Sequence, residues 1–211
     1  MSQDTSLPAV TAPASPAPPA EPRRMHPIAL LATLAAAVVP VMSVFSVNVA
    51  LRQIGVELGA SAGMLQLVVA AYGVVYAALV VIGGRLGDSF GRKRMLLVGL
   101  GMFAATSLLC AVAQDPGQLV AARFLQGLSA AALSPQVLAS IHANSEGHHR
   151  TRALGWFAAT AGLSTSLAFL VGGSLAGSDL GWRSVFWVNA PVALLAMLGV
   201  ARFLPLSLIH I

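Results

Sequence analysis

Six stretches of the chain carry no Asp, Glu, Lys or Arg: 27–51, 58–84, 95–114, 124–145, 153–178 and 184–201. A helix needs roughly 20 apolar residues to cross the hydrocarbon of a bilayer, and each run meets or approaches that length. The pattern therefore predicts six membrane-spanning helices. Apolar residues follow one another in these runs instead of alternating within segments of roughly 10 residues, which excludes a transmembrane β-barrel. The runs fill 27–204 and leave no room for an extramembrane domain, so the expected architecture is an all-α bundle embedded in a lipid bilayer.

Composition agrees: of 211 residues, 57% are hydrophobic and 9% charged, far from the balance of a soluble domain. The lone cysteine, Cys110, lies inside an apolar run, so it forms no intrachain disulfide and reads as a small core residue. The net charge of +5 would suggest a nucleic-acid partner in a soluble protein. Here the basic residues occupy the short connections between spans, and topology explains them without a polyanion.

Arg23, Arg24, Arg85, Arg92, Lys93, Arg94, Arg150, Arg152 and Arg202 fall on one side of the alternating spans. Only Arg52 and Arg183 fall on the other, with Arg123 left inside the fourth span. This bias predicts a multi-pass protein of the cell (inner) membrane with both ends in the cytoplasm. Residues 1–26 are rich in Pro, Ala and Ser and are expected to form a disordered cytoplasmic tail. The first apolar run starts too late and is too long for a signal peptide, so it is expected to remain as the first span.

An internal repeat organises the spans. G-G-R-L at 83–86 returns as G-G-S-L at 172–175, and each copy is followed by an aspartate (Asp88, Asp179), then a Gly and an Arg. The offset of 89 residues is half of the 178 from Pro27 to Leu204. Two inverted three-helix units follow, an architecture of transporters. Chance matching among glycines and leucines, both common in membrane helices, is the alternative.

Two segments carry candidate chemistry. In G-R-L-G-D-S-F-G-R-K-R, 84–94, Gly84, Gly87 and Gly91 allow a tight turn, and Asp88 can pair with a nearby Arg. A positive-inside loop with turn glycines would look the same. In A-A-R-F-L-Q-G-L-S-A-A, 121–131, Arg123 lies about one turn inside a span, where an unpaired charge costs at least ~2.5 kcal/mol. Helical spacing puts Arg123, Gln126, Gly127, Ala130 and Ser134 on one small, polar face, as for a stripe against a cavity or another helix. The alternative is an arginine that snorkels to the interface. The fifth span ends in Gly173-x-x-x-Gly177, suited to close helix packing.

These segments resemble a known family. The string 84–94 is similar to the major facilitator signature G-x-L-a-D-r-x-G-r-k, matching at Gly84, Leu86, Asp88, Gly91, Arg92 and Lys93. The string around Arg123 resembles the fourth-span motif R-x-x-q-G-x-g-a-a, whose arginine the resemblance associates with proton coupling. The fifth span is similar to the antiporter motif g-x-x-x-G-P-x-x-G-G at Gly172 and Gly173, but Ala168-Phe169 replaces its Gly-Pro step. S-V-F-S-V-N-V-A-L, 43–51, looks like the first span of the fourteen-span drug:proton antiporters (EmrB/QacA type). Ser43 stands where that family usually has an embedded aspartate, Phe45 where it has threonine and Arg52 where it has proline. G-W-R-S-V-F-W-V-N-A-P, 181–191, is similar to its W-R-w-i-F-x-i-N-x-P, and Trp182 and Trp187 also suit a membrane interface.

The resemblance implies the N-terminal half of a major facilitator fold, with a second six-helix half as partner of 27–204. The tail at 205–211 then reads as the end of a truncated or frame-broken frame. The implied function is proton-coupled efflux of drugs or toxic small molecules by alternating access, with protons and a small-molecule substrate as partners. Arg123 is the proton-coupling candidate, and Gly84, Asp88, Gly91, Arg92 and Lys93 form a conformational loop. Gln126, Gly127, Gly172, Gly173 and Gly177 serve helix packing, while Asn48 is either a cavity hydrogen-bonding group or a bond to another helix. No Asp or Glu lies inside any of the six runs, which leaves open a facilitator or metabolite exporter without antiport. A non-transporting truncated product is the third reading. No enzymatic acid pair, nucleophile–base couple or metal frame appears, and His142, His148 and His149 read as solvated loop residues, so neither cofactor nor metal is expected.

Overall fold

Helix signals in the sequence act where the connections are shortest. Ser61 and Asp115 each accept a hydrogen bond from a backbone N–H three residues on, capping two helices, and Pro27 and Pro116 open helices where no N–H is needed. Gly91 alone connects two others; its φ of 94° is a conformation that L side chains rarely adopt. The computed structural model describes residues 23–177 and 181–205. It holds α1 (Pro27–Glu57), α2 (Ala62–Phe90), α3 (Arg92–Ala111), α4 (Pro116–Asn144), α5 (Gly147–Ala176) and α6 (Arg183–Phe203). Residues 1–22, Asp179 of the repeat and 206–211 lie outside the described residues, so the tail, the second repeat aspartate and the frame-broken end remain expectations.

All six helices are long and apolar enough to cross a membrane, as the charge-free runs predict. They outlast the runs at most ends because charges in a terminal turn can reach the membrane surface. α2 continues through Arg85 and Asp88 to Phe90, and α4 starts at Pro116, two turns before Arg123.

Cross-links at both ends of the bundle fix an up-and-down order. At one end the Glu146 N–H donates to the Arg23 carbonyl (2.9 Å), and the Lys93 ammonium donates to the carbonyls of Ala201 (2.8 Å) and Leu204 (2.5 Å). At the other end Arg183 pairs with Glu57 and donates to the Ala113 carbonyl (2.9 Å), while Gln53 donates to the Ala176 carbonyl. The first of these is the basic end.

The packing has the symmetry that the repeat predicts. α2 packs on α4 as α5 packs on α1; α3 packs on α4 as α6 packs on α1; α3 meets α6 and α1 meets α4. Exchanging α1 with α4, α2 with α5 and α3 with α6 maps this set of contacts onto itself. The repeated glycines occupy equivalent joints. A Cβ on Gly83 of α2 would run into the Ala131 backbone of α4, and one on Gly172 of α5 would lie 3.0 Å from the Ser46 Cβ of α1. Pro135 has no N–H to offer the Ala131 carbonyl four residues back, and Gly83 packs onto that freed group. The neighbouring Gln136 amide donates to the Gly83 carbonyl (2.8 Å), closing the joint.

Two apolar clusters fill the interior, one toward each end. Leu96, Phe103, Leu133 and Val137 belong to the cluster at the basic end, and Ile54, Leu119, Trp182 and Phe186 to the other. Trp182, which also suited an interface position, is fully buried with its ring edge-on to Phe186, whereas Trp187 is half exposed. α2 and α5 are the least buried helices and present bare apolar side chains such as Val74, Val81, Leu163 and Leu170.

Gly83→Ala should destabilise the bundle by about 1–3 kcal/mol, since backbone rather than a flexible side chain must yield. Gly84→Ala, whose Cβ would meet only the Pro135 Cβ at 3.7 Å, should change stability by less than about 0.5 kcal/mol. Thermal unfolding of the two variants in detergent measures the contrast.

Candidate functional site

Between the two apolar clusters lies a polar layer contributed by four helices. On α1, Ser43 falls between Val39 of one cluster and Val47 of the other; on α3, Ser107 falls between Ala104 and Cys110. On α4, Arg123 and Gln126 fall between Ala122 and Ala130. α2 contributes the Val68 carbonyl and the Tyr72 ring.

Arg123 is the hub. It is 1% exposed, so its side chain does not snorkel. Its Nη1 donates to Gln126 Oε1 (2.6 Å) and to Ser43 Oγ (2.9 Å), and its Nε donates to the Val68 carbonyl (3.3 Å). The guanidinium carbon lies 4.3 Å from the centre of the Tyr72 ring, a cation–π contact. Ser43 in turn donates to Gln126 Oε1 (3.1 Å), and the Gln126 amide donates to Ser107 Oγ (2.8 Å). Gly127, beside this network, lets α4 approach α2 closely: a Cβ there would lie 2.5 Å from the Tyr72 carbonyl oxygen.

Every acceptor around this charge is neutral. The described acidic residues are Glu57, Asp88, Asp115 and Glu146, and each stands at a helix end or cap. All four are placed by ion pairs or caps of their own: Glu57 with Arg183, Asp88 with Arg92, Glu146 with Arg23, and Asp115 with the start of α4. A guanidinium does not release its proton in a protein, so Arg123 is a fixed positive charge held by dipoles. What it can do chemically is bias the charge of whatever comes near it.

A cavity of about 240 Å³ shares Tyr72 with the network. It is lined from α1, α2, α4 and α5, with Phe45, Tyr72, Tyr76 and Phe157 giving it aromatic walls and Ser134 adding an aliphatic hydroxyl. Tyr72 and Tyr76 stack 6.3 Å apart, and the Tyr72 hydroxyl donates to the Pro40 carbonyl (3.3 Å). Tyr72 thus touches both the buried charge and the cavity.

The other sequence candidates are placed differently. Asp88 and Arg92 pair across the Gly91 turn (3.3 Å), Arg92 also donates to the Ala139 carbonyl of α4 (3.4 Å), and Gly84 faces Pro135. Lys93 caps the end of α6. Gly173 has only an ordinary contact with Val49, and Gly177 stands as the exposed C-cap of α5, so the joint with α1 is made at Gly172. Asn48 is exposed and donates to the Val44 carbonyl of its own helix (2.8 Å) rather than to another helix.

Ser107 and Tyr72 are the site residues that the sequence did not bring forward. Ser43 was legible only as the loss of a carboxylate, whereas in three dimensions it is a ligand of the arginine. Tyr72 and Tyr76 are the chain's two tyrosines, four residues apart on one span, a signal that was available.

The family model of the Major Facilitator Superfamily matches residues 31–208. The chain belongs to that superfamily. It is 41% identical over 75% of its length to a probable actinorhodin transporter of Streptomyces coelicolor and 44% identical over 75% to the puromycin resistance protein pur8 of Streptomyces alboniger. A cephamycin export protein of Amycolatopsis lactamdurans is 38% identical over 75%. The chain spans 28 to 32% of the length of these relatives. Among solved structures, a bacterial homologue of the lysosomal transporter Spinster in its inward-facing state superposes with a TM-score of 0.74 at 19% identity, over 86% of this chain and 44% of that one. A peptide transporter superposes with a TM-score of 0.73 at 21% identity, over 83% of this chain and 37% of its own. The expected all-α superfamily fold is thereby established, and the protein is a multi-pass membrane protein.

Gln126→Leu should destabilise the bundle by about 1.5–3 kcal/mol, because it strips the guanidinium of its shortest hydrogen bond. Adding Arg123→Met should restore much of that loss. A double-mutant cycle from unfolding curves reads the coupling; additive losses would mean that the pair is not the unit described.

Proposed function

We propose that this chain is the N-terminal part of an exporter that removes antibiotics or other toxic small molecules by alternating access, driven by proton entry. Its partner is a second set of helices covering the bare faces of α2 and α5. The basic end then faces the cytoplasm, which puts nine Lys and Arg residues on the inner side of the cell membrane.

The observation that carries this reading is Arg123. A charge held at the centre of the bundle by neutral acceptors costs several kcal/mol that packing does not need, and such residues in membrane helices mark ion or substrate pathways. Its contact with Tyr72, a wall residue of a four-helix aromatic cavity, links it to a candidate small-molecule site. The relatives' antibiotic names support the substrate class. Because Arg123 itself keeps its proton, coupling requires an acid from outside the described residues that approaches Arg123 in one state and leaves it in another. The turn at 84–94 and the packing glycines Gly127 and Gly172 would hold this half together while that happens.

One feature favours a second reading, export or facilitated passage without proton exchange. Ser43 contacts Arg123 directly, so a carboxylate at that position would have been the natural proton carrier and is not there.

Expression of the full coding region in a puromycin-sensitive host, with drug accumulation followed before and after a protonophore, separates the two. The first reading expects low accumulation that rises when the proton gradient collapses. Arg123→Ala should raise accumulation to the level of the empty host while membrane insertion is unchanged; normal protonophore-sensitive efflux from that variant would remove Arg123 from the mechanism.

A further inference from the structure

At the basic end a second cavity, of about 400 Å³, opens between the starts of α1 and α5. Arg24, His148, His149 and Arg152 bring basic groups to a lining that is mostly apolar, and Arg24, Arg152 and His148 are the electrostatic neighbours of His149. Leu30, Leu31, Leu34 and Trp156 supply much of the apolar lining. Leu31 and Trp156 are 68% and 54% exposed, so the apolar wall continues onto the outside of the bundle.

Charge pairing at this corner is uneven. Arg23 is tied to Glu146, and Arg150 donates to the carbonyls of Ser145 (2.9 Å) and His142 (3.4 Å). Among the described residues, Arg24 and Arg152 have neither an ion-pair nor a hydrogen-bond partner, and both line the cavity. Two unneutralised guanidinium groups beside a tryptophan and a leucine wall fit one ligand chemistry, an anionic head on an apolar body. A planar guanidinium fork suits phosphate oxygens, and a tryptophan suits the level of a membrane interface. A bare anion would leave the leucine wall empty, and a zwitterionic lipid would leave the two arginines without net countercharge.

We infer that this cavity binds a phosphate-bearing amphiphile, such as an anionic phospholipid of the adjacent leaflet, with its phosphate at Arg24 and Arg152 and its chain along Leu31, Leu34 and Trp156. Basic recesses at the cytoplasmic ends of spans are suited to such headgroups. The site is independent of the transport reading, because it uses none of the residues around Arg123.

The test uses the full chain in mild detergent, with phosphatidylglycerol, phosphatidylcholine and inorganic phosphate as probes and native mass spectrometry as the count of bound lipid. Phosphatidylglycerol should be retained in preference to phosphatidylcholine, and millimolar inorganic phosphate should not displace it. Arg24→Ala with Arg152→Ala should reduce retention by about tenfold, while Arg85→Ala with Arg94→Ala, on the same end of the bundle, should leave it unchanged. Equal retention of the two lipids, equal loss from both pairs of substitutions, or displacement by phosphate alone would each overturn the proposal. The unmodified chain gives a second reading that does not depend on the arginine variants folding. Phosphatidylglycerol with brominated chains should quench tryptophan fluorescence more than brominated phosphatidylcholine does, an excess that Trp156→Phe removes; equal quenching overturns the site.

Discussion

One positive charge, buried at mid-bundle among neutral acceptors, constrains the rest of this molecule. The Arg123 guanidinium needs its N–H groups answered, and the answers come from different helices: a hydroxyl from α1, a backbone carbonyl and a ring from α2, an amide from its own α4. The amide is itself held by a hydroxyl of α3. Four helices must therefore agree in register at this level. An apolar cluster on each side excludes water from the layer, which strengthens every bond in it and makes any missing one costly.

That agreement is reached through close backbone contact. Gly83 on Ala131 and Gly127 on Tyr72 bring α2 against α4, and Gly172 on Ser46 brings α5 against α1. In lipid, where apolar side chains gain little from leaving their surroundings, such small-residue contacts are what hold helices together. Pro135 adds to the first joint, since the carbonyl that it frees is where Gly83 sits. The same device serves both halves of the repeat, so one solution to helix packing has been used twice in opposite orientations.

Much of this was written in the sequence in a form that can be read. Charge-free runs gave the six spans because bilayer thickness sets a minimum length that few other structures need. The repeat of Gly83 and Gly172 gave the pseudo-symmetry because close approach tolerates no Cβ at those joints. The face of Arg123, Gln126, Gly127 and Ala130 was legible because helical spacing is local. What could not be read was the company that this face keeps. Ser43 lies 80 residues from Arg123 and Ser107 lies 19 from Gln126, and nothing in a serine announces which polar group it will meet. Gly177 had the right spacing for packing but fell at a helix end, where a glycine serves the cap instead.

The charged turn at 84–94 shows how the bundle treats its own periphery. A loop that acted only on a neighbouring domain would leave its polar groups unspent within this one. Here Asp88 and Arg92 pair across Gly91, Arg92 reaches the Ala139 carbonyl on α4, and Lys93 reaches the last carbonyls of α6. Exposed ion pairs of this kind contribute little stability one by one. Their effect is geometric: they tie α2, α3, α4 and α6 at the basic end, as Arg183 ties α1, α3 and α6 at the other. The faces left free of such ties belong to α2 and α5. Those two helices are held along one side by close backbone contact and by hydrogen bonds from α4 and α1, while their other sides carry bare apolar residues such as Val74, Val81, Leu163 and Leu170.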